Sequence, residues 1–191
     1  YQSGKWAFVS DYFRLKALYE QGGAYLDTDV ELLRPFGDLL ELSGFAGFED
    51  AEHVATCVLG AEKEHGFFRQ AMELYEGRTF LREGGEPDLT TNVEILTGLL
   101  GRNGLEPDGA RQSVMGMEIF PAEYFSPRSL ETGKLTKTGN TYAIHWFEAS
   151  WQTGSQRFHR KVAQVIGKKN TERLKKLLGR SGGPESSGRS G

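Results

Sequence analysis

Two adjacent glycines, Gly22 and Gly23, separate a segment of helical periodicity from a short apolar run that ends in acids. Ahead of them, Trp6, Phe8, Val9, Phe13, Leu15, Leu18 and Tyr19 predict a helix with a wide apolar face that ends at Gln21. Glycine just past the last periodic residue is a common helix stop, because it takes positive φ without a Cβ clash. Behind them, Ala24, Tyr25 and Leu26 run into Asp27-Thr28-Asp29 and then Val30 to Pro35, which predicts a buried strand ending in a loop.

The same alternation continues along the chain. Gly44 to Glu49 and Val54 to Leu59 read as strands, Glu64 to Tyr75 and Thr91 to Leu100 as helices, and Met117 to Phe120 and Tyr142 to Trp146 as short strands. Glu83 to Pro87 and Gly101 to Gly109 read as loops. Strands interleaved with helices favour an α/β sheet, and no internal repeat competes with that assignment. With 191 residues, 38% of them hydrophobic, the chain suits one domain with its own core. Wholesale disorder is excluded.

Charge is divided unevenly. Residues 152–191 hold ten Lys or Arg against two Glu, whereas residues 1–151 hold 13 basic against 24 acidic side chains. The acidic body argues against nucleic acid as a partner. In the basic segment Phe158, Val162, Val165, Ile166, Leu174, Leu177 and Leu178 recur near helical spacing, predicting short helices over 152–180. Residues 181–191, rich in glycine and serine, cannot support packing and are expected to be a disordered tail. No apolar run approaches the roughly 20 residues that cross a bilayer, so a cytoplasmic protein is expected. The basic segment is a candidate for peripheral contact with anionic lipid at the inner face of a membrane, against a solvated helical face as the plainer alternative. The single cysteine, Cys57, fits a reducing compartment and reads as a small buried side chain. There is no initiator methionine, and patterned sequence begins almost at Tyr1, so the natural N-terminus is expected further upstream.

Chemistry concentrates at Asp27 and Asp29. In extended backbone, alternate side chains point the same way, so both carboxylates can meet one ligand at a strand end. Two such oxygens suit Mg²⁺ or Mn²⁺, which are commonly held by one or two carboxylates together with substrate phosphates. Asp11 and Arg14, three residues apart on the preceding helix, share a face. A carboxylate there can accept sugar hydroxyls, and a guanidinium can grip hydroxyls or phosphate oxygens; the plain alternative is a surface ion pair. His145, with Trp146 and Trp151 close behind, could complete a metal site and stack a ring against a base or sugar. Phe120, Pro121, Tyr124, Phe125 and Pro127 suit either an acceptor groove or core, and Phe67, Phe68, Met72 and Tyr75 read as core. Glu49 and Asp50 read as a solvated turn, with an approach to the acceptor side as the alternative.

The run Ser10-Asp11-Tyr12-Phe13-Arg14 to Leu18-Tyr19-Glu20-Gln21-Gly22-Gly23-Ala24-Tyr25-Leu26-Asp27-Thr28-Asp29 closely resembles the DXD-containing sugar-binding region of glycosyltransferase family 32. That family includes bacterial capsular and cell-surface polysaccharide transferases and fungal outer-chain mannosyltransferases. His145-Trp146-Phe147-Glu148-Ala149-Ser150-Trp151 is similar to the family's histidine-and-tryptophan end, so the resemblance spans Trp6 to Trp151. It implies a GT-A fold, a Rossmann-like mixed sheet flanked by helices, over residues 1–151. It also implies a nucleotide-diphosphate sugar donor (UDP- or GDP-linked), a divalent metal, a saccharide or lipid-linked acceptor, and transfer with retention at the anomeric carbon. Residue by residue, it implies that Asp27 and Asp29 form the metal and diphosphate motif, with Asp29 the more direct ligand. Asp11, Arg14, Tyr25 and Asn92 fall at donor-sugar positions, His145 at the C-terminal metal or diphosphate position, and Ser150 and Trp151 in the segment that closes over the donor. Family members carry a base-binding strand and loop ahead of the first helix, and the present sequence begins after them.

Two other readings of the same residues stand beside this one. A phosphatase of haloacid dehalogenase type also ends an apolar strand in D-x-D, although such enzymes continue with Gly-Thr where this chain has Val30-Glu31. The other is a non-catalytic module that binds nucleotide sugar or carbohydrate without turnover.

Overall fold

A computed structural model describes residues 6–76, 78 and 90–147. The expected basic helices over 152–180, the tail at 181–191, and both Ser150 and Trp151 lie outside the described residues. Helix α1 spans Trp6–Gln21, and its buried face includes Leu15 and Leu18. Gly22 ends it at φ +69°, donating its N–H to the Leu18 carbonyl at 2.8 Å. A Cβ there would stand 2.8 Å from the Lys63 nitrogen, so both the sign of φ and the close approach select glycine.

The chain turns directly into β1 (Gly23–Leu26). The strands that follow are β2 (Val30–Leu32), β3 (Gly44–Gly47) and β4 (Val58–Ala61), then helices α2 (Gly66–Glu73) and α3 (Asn92–Arg102), then β5 (Gln112–Val114), β6 (Met117–Phe120) and β7 (Ala143–His145). Five strands form one mixed sheet in the order β1-β4-β3-β6-β5, in which only β3 and β6 run parallel. Strands β2 and β7 form a separate antiparallel ribbon that sets Val30 opposite His145. The architecture is the α/β class expected, a mixed sheet flanked by helices, and it is compatible with a GT-A-like fold.

Period-2 alternation assigns the two faces of the sheet. Ala46, Leu59, Met117 and Ile119 join Leu15, Leu18, Phe67, Phe68, Leu96 and Leu100 beneath the three helices. Phe45, Val58 and Phe120 point the other way, into a cluster with Phe36, Leu39, Phe125, Tyr142 and Ala143. In the ladder Phe45 lies opposite Gly60, and a Cβ on Gly60 would stand 2.0 Å from the Phe45 ring. Helix α3 starts with a capping box, in which Thr91 Oγ1 accepts from the Glu94 N–H while Glu94 accepts from the Thr91 N–H.

Several expectations shift. Strand β1 is an edge strand and only half-buried, not buried as its apolar run suggested. Val30–Leu32 is a strand, not a loop. Val54 to Cys57 are buried, but only Val54 forms an isolated bridge, to Phe48, so the strand begins four residues later than predicted. Strand β5 is one the sequence reading missed. The described residues divide into two units, one holding those from 6 to 128 together with 135–146, the other holding 129–134 and 147. In the second, Ser129 to Lys134 close a tight loop, with Gly133 at φ +72° donating to the Ser129 carbonyl.

Candidate functional site

Helix α1 and strand β1 meet at a buried guanidinium. Arg14 is 9% exposed. Its Nη2 pairs with Asp11 Oδ1 and its Nη1 with Asp27 Oδ1, each at 3.0 Å, while Nη1 also donates to the Thr56 carbonyl at 3.0 Å. Its Nε, also buried, has no hydrogen-bond partner among the described residues. The guanidinium lies 4.8 Å from the centre of the Tyr25 ring, and the Tyr25 hydroxyl donates to Asp27 Oδ1 at 2.6 Å. Thus one planar cation, immobilised by a backbone carbonyl and an aromatic face, fixes the two carboxylates that the helix and the strand contribute. Their side chains keep 22% and 24% exposure, enough to meet a ligand.

Burial dominates the electrostatics. It pushes the Asp11 carboxyl above its usual value; Arg14 opposes the rise and the Asp27 charge adds to it. Burial and the bond to Asp27 also raise the Tyr25 phenol, which therefore stays a donor at neutral pH.

Asp27 and Asp29 come together for a different reason from the one the sequence suggested. The Val30 N–H closes a turn onto the Asp27 carbonyl at 3.1 Å, so the two acids lie on a turn and not on extended backbone. The Asp27 N–H prolongs the β1–β4 ladder by donating to the Cys57 carbonyl at 2.9 Å. Immediately after the turn, the β2–β7 pairing brings in His145, whose Nε2 lies 3.3 Å from Asp29 Oδ1. One ligand atom from each of Asp27, Asp29 and His145 lies within 4.8 Å of the others, so these three could hold a metal ion. Two carboxylate oxygens suit a hard divalent cation, and one imidazole nitrogen can complete such a donor set.

Asn92, from the first turn of α3, also reaches this cluster: its Nδ2 donates to Asp11 Oδ1 at 3.4 Å, and its Oδ1 accepts from the Tyr75 hydroxyl at 2.8 Å. Asp11, Arg14, Tyr25, Asp27, Asp29, Asn92 and His145, from four separate stretches of chain, therefore converge. Trp146 is held by its neighbours: its backbone N–H donates to the Asp29 carbonyl, its indole N–H to Glu31 Oε2 at 2.9 Å, and its carbonyl accepts from Arg128, whose guanidinium lies over the ring. Asp50 caps its own turn by accepting from the Glu52 and His53 N–H groups, as the plainer reading of that pair holds. Phe120 and Phe125 belong to the core. The sequence reading missed the Thr56 carbonyl, which no side-chain pattern reveals, and took Tyr75 only as core; Glu31 and Arg128 gave no signal.

Residues 2–46 match a family described as the glycosyltransferase sugar-binding region containing the DXD motif. The matched stretch contains Asp11, Arg14, Tyr25, Asp27 and Asp29, and it supports a glycosyltransferase-type function. No curated protein and no solved structure matches the chain.

Proposed function

We propose that this chain carries the donor site of a metal-dependent, retaining glycosyltransferase. It moves a hexose from a UDP- or GDP-sugar to a saccharide or lipid-linked acceptor in cell-surface polysaccharide synthesis. The observation that carries the proposal is the adjoining of two constellations. The triad of Asp27, Asp29 and His145 is suited to a divalent cation, and the Asp11–Arg14–Asp27 network beside it is suited to a sugar.

In this reading Asp27, Asp29 and His145 hold Mn²⁺ or Mg²⁺, and the ion, when bound, supplies Lewis-acid neutralisation of the departing nucleoside diphosphate. Arg14 spends its terminal nitrogens on Asp11, Asp27 and Thr56, and so sets the direction of both carboxylates. Asp11 accepts sugar hydroxyls and, as an anion beside the ring, favours the positive charge that develops at the anomeric carbon. Retention follows if the acceptor hydroxyl attacks from the face that the diphosphate leaves, its proton passing to the departing phosphate oxygen as the new C–O bond forms. The alternative phosphatase role for Asp27 fits less well. Such enzymes continue with Gly-Thr after the second acid, where this chain has Val30-Glu31, and they give the Asp11–Arg14 pair no part to play.

The test is hydrolysis of a panel of UDP- and GDP-sugars by the protein with and without Mn²⁺, the first-formed anomer being read by NMR. Mn²⁺-dependent release of the retained anomer is expected. Binding without turnover would make the chain a non-catalytic module, cleavage of simple phosphomonoesters would make it a phosphatase, and an inverted product would overturn retention.

A further inference from the structure

We propose that Tyr75 is a positioning residue of the sugar site, acting through Asn92 to hold Asp11 in the orientation that meets the donor. This inference rests on the role proposed above for Asp11. Tyr75 lies in the turn after α2, its N–H bonded to the Met72 carbonyl at 2.8 Å and its ring edge-on to Tyr12 at 6.2 Å. Its hydroxyl donates to Asn92 Oδ1 at 2.8 Å, and both residues are buried.

An asparagine amide carries an acceptor and a donor at opposite ends, and the bonds it makes decide which end faces which neighbour. Asp11 Oδ1 takes the donor end, Nδ2, at 3.4 Å. The Tyr75 hydroxyl satisfies the acceptor end at the same time. Removing that hydroxyl leaves a buried carbonyl oxygen without its donor, and this costs about as much as the bond from Nδ2 to Asp11 contributes. The amide then has no single best orientation, because turning to satisfy its oxygen withdraws its nitrogen from Asp11.

The consequence for Asp11 is specific. Arg14 Nη2, from α1, forms an ion pair with Oδ1 at 3.0 Å, while Asn92 Nδ2, from α3, donates a hydrogen bond to the same oxygen, and the two contacts together hold the carboxylate. Among the described residues Oδ2 has no hydrogen-bond partner, so it is the oxygen left to accept a sugar hydroxyl. With Arg14 alone, the carboxylate can rotate about its single remaining contact. Tyr75 thus touches no substrate, yet determines where a substrate-binding oxygen points.

The experiment has two arms, both on the full chain. In the first, the ligand-free protein is labelled with ¹⁵N at its four asparagines, and the Asn92 side-chain amide is assigned by its loss in N92A. Its protons are expected to exchange slowly in the wild type and about tenfold faster in Y75F. In the second, KM and kcat are measured with the nucleotide sugar that turns over fastest with Mn²⁺. Y75F is expected to raise KM about fivefold to tenfold with kcat within about twofold, and to add nothing further in an N92A background. A residue that only packs would lower thermal stability in both backgrounds and leave KM alone. Equal amide exchange in wild type and Y75F, an unchanged KM, or additive effects in the double variant would each overturn the inference. If no sugar in the panel turns over, the proposed activity fails, and the exchange arm still decides the role of Tyr75.

Discussion

Arg14→Met removes the charge that joins α1 to the acidic turn while keeping most of the apolar stem. The variant leaves the Thr56 carbonyl without its side-chain donor, and it leaves Asp11 and Asp27 facing each other with no cation between them. Breaking one side of a buried ion pair costs about 3–5 kcal/mol. The two acids keep some contact with water, which places the expected loss near the lower bound, about 3 kcal/mol. For a chain of this size that corresponds to a fall in Tm of about 9 °C, taking about 3 °C per kcal/mol. The pH dependence is the sharper part. Asp11 titrates above its unfolded value because of burial, so its ionisation costs stability as pH rises through its folded pKa. Arg14 is the group opposing that rise, and without it the folded pKa moves further up. The cost is therefore largest at neutral pH and shrinks as Asp11 becomes protonated. Thermal unfolding followed by circular dichroism from pH 7.5 down towards the ordinary carboxylate range at about pH 4 is expected to show the gap between R14M and wild type narrowing as Asp11 becomes protonated. A gap below about 3 °C, or one that stays constant or widens on acidification, would refute the electrostatic account of this residue.

Two further outcomes test the fold around the site. Gly60→Ala places a Cβ 2.0 Å from the Phe45 ring within the core, so urea unfolding should show a loss of about 1–3 kcal/mol. Gly66→Ala, where nothing lies within 4 Å, should be neutral or slightly stabilising; equal losses for the two would contradict the packing described. Cys57 is buried with its thiol pushed up to about 12, so it should resist alkylation by iodoacetamide in the native protein at pH 8 and react on unfolding. Rapid labelling of the folded chain would show that the β1–β4 end of the sheet opens readily.

The parts of this structure that depend on nearby residues were legible in the sequence, and those that depend on distant pairing were not. Gly22 and Gly23 mark the end of α1 because only local backbone geometry is involved, and the spacing of Asp11 and Arg14 places both on one helical face. Val54 to Cys57 look like a strand because they are apolar, yet burial without a ladder satisfies the same pattern. Val30-Glu31-Leu32 and Gln112-Ser113-Val114 are too short to establish a periodicity, and their partners make them strands. At the site, Asp27 and Asp29 could be picked out, but the Val30–Asp27 turn that joins them follows directly onto the β2–β7 ribbon, whose register brings up His145 from more than a hundred residues away. Tyr75 illustrates the limit most clearly: its ring packs as the helical spacing suggested, while its hydroxyl serves a polar chain that only the folded arrangement reveals.

The central claim is that Asp27, Asp29 and His145 form one cation site, and direct titration of Mn²⁺ into the protein, followed by electron paramagnetic resonance of the free ion, tests it most simply. The account predicts one saturable site in the wild type, weakened at least about tenfold in D29N and in H145A. In H53A, which removes an exposed histidine paired with Asp50, affinity should be unchanged. Equal Mn²⁺ affinity in all four proteins, or no saturable binding in the wild type, would contradict it.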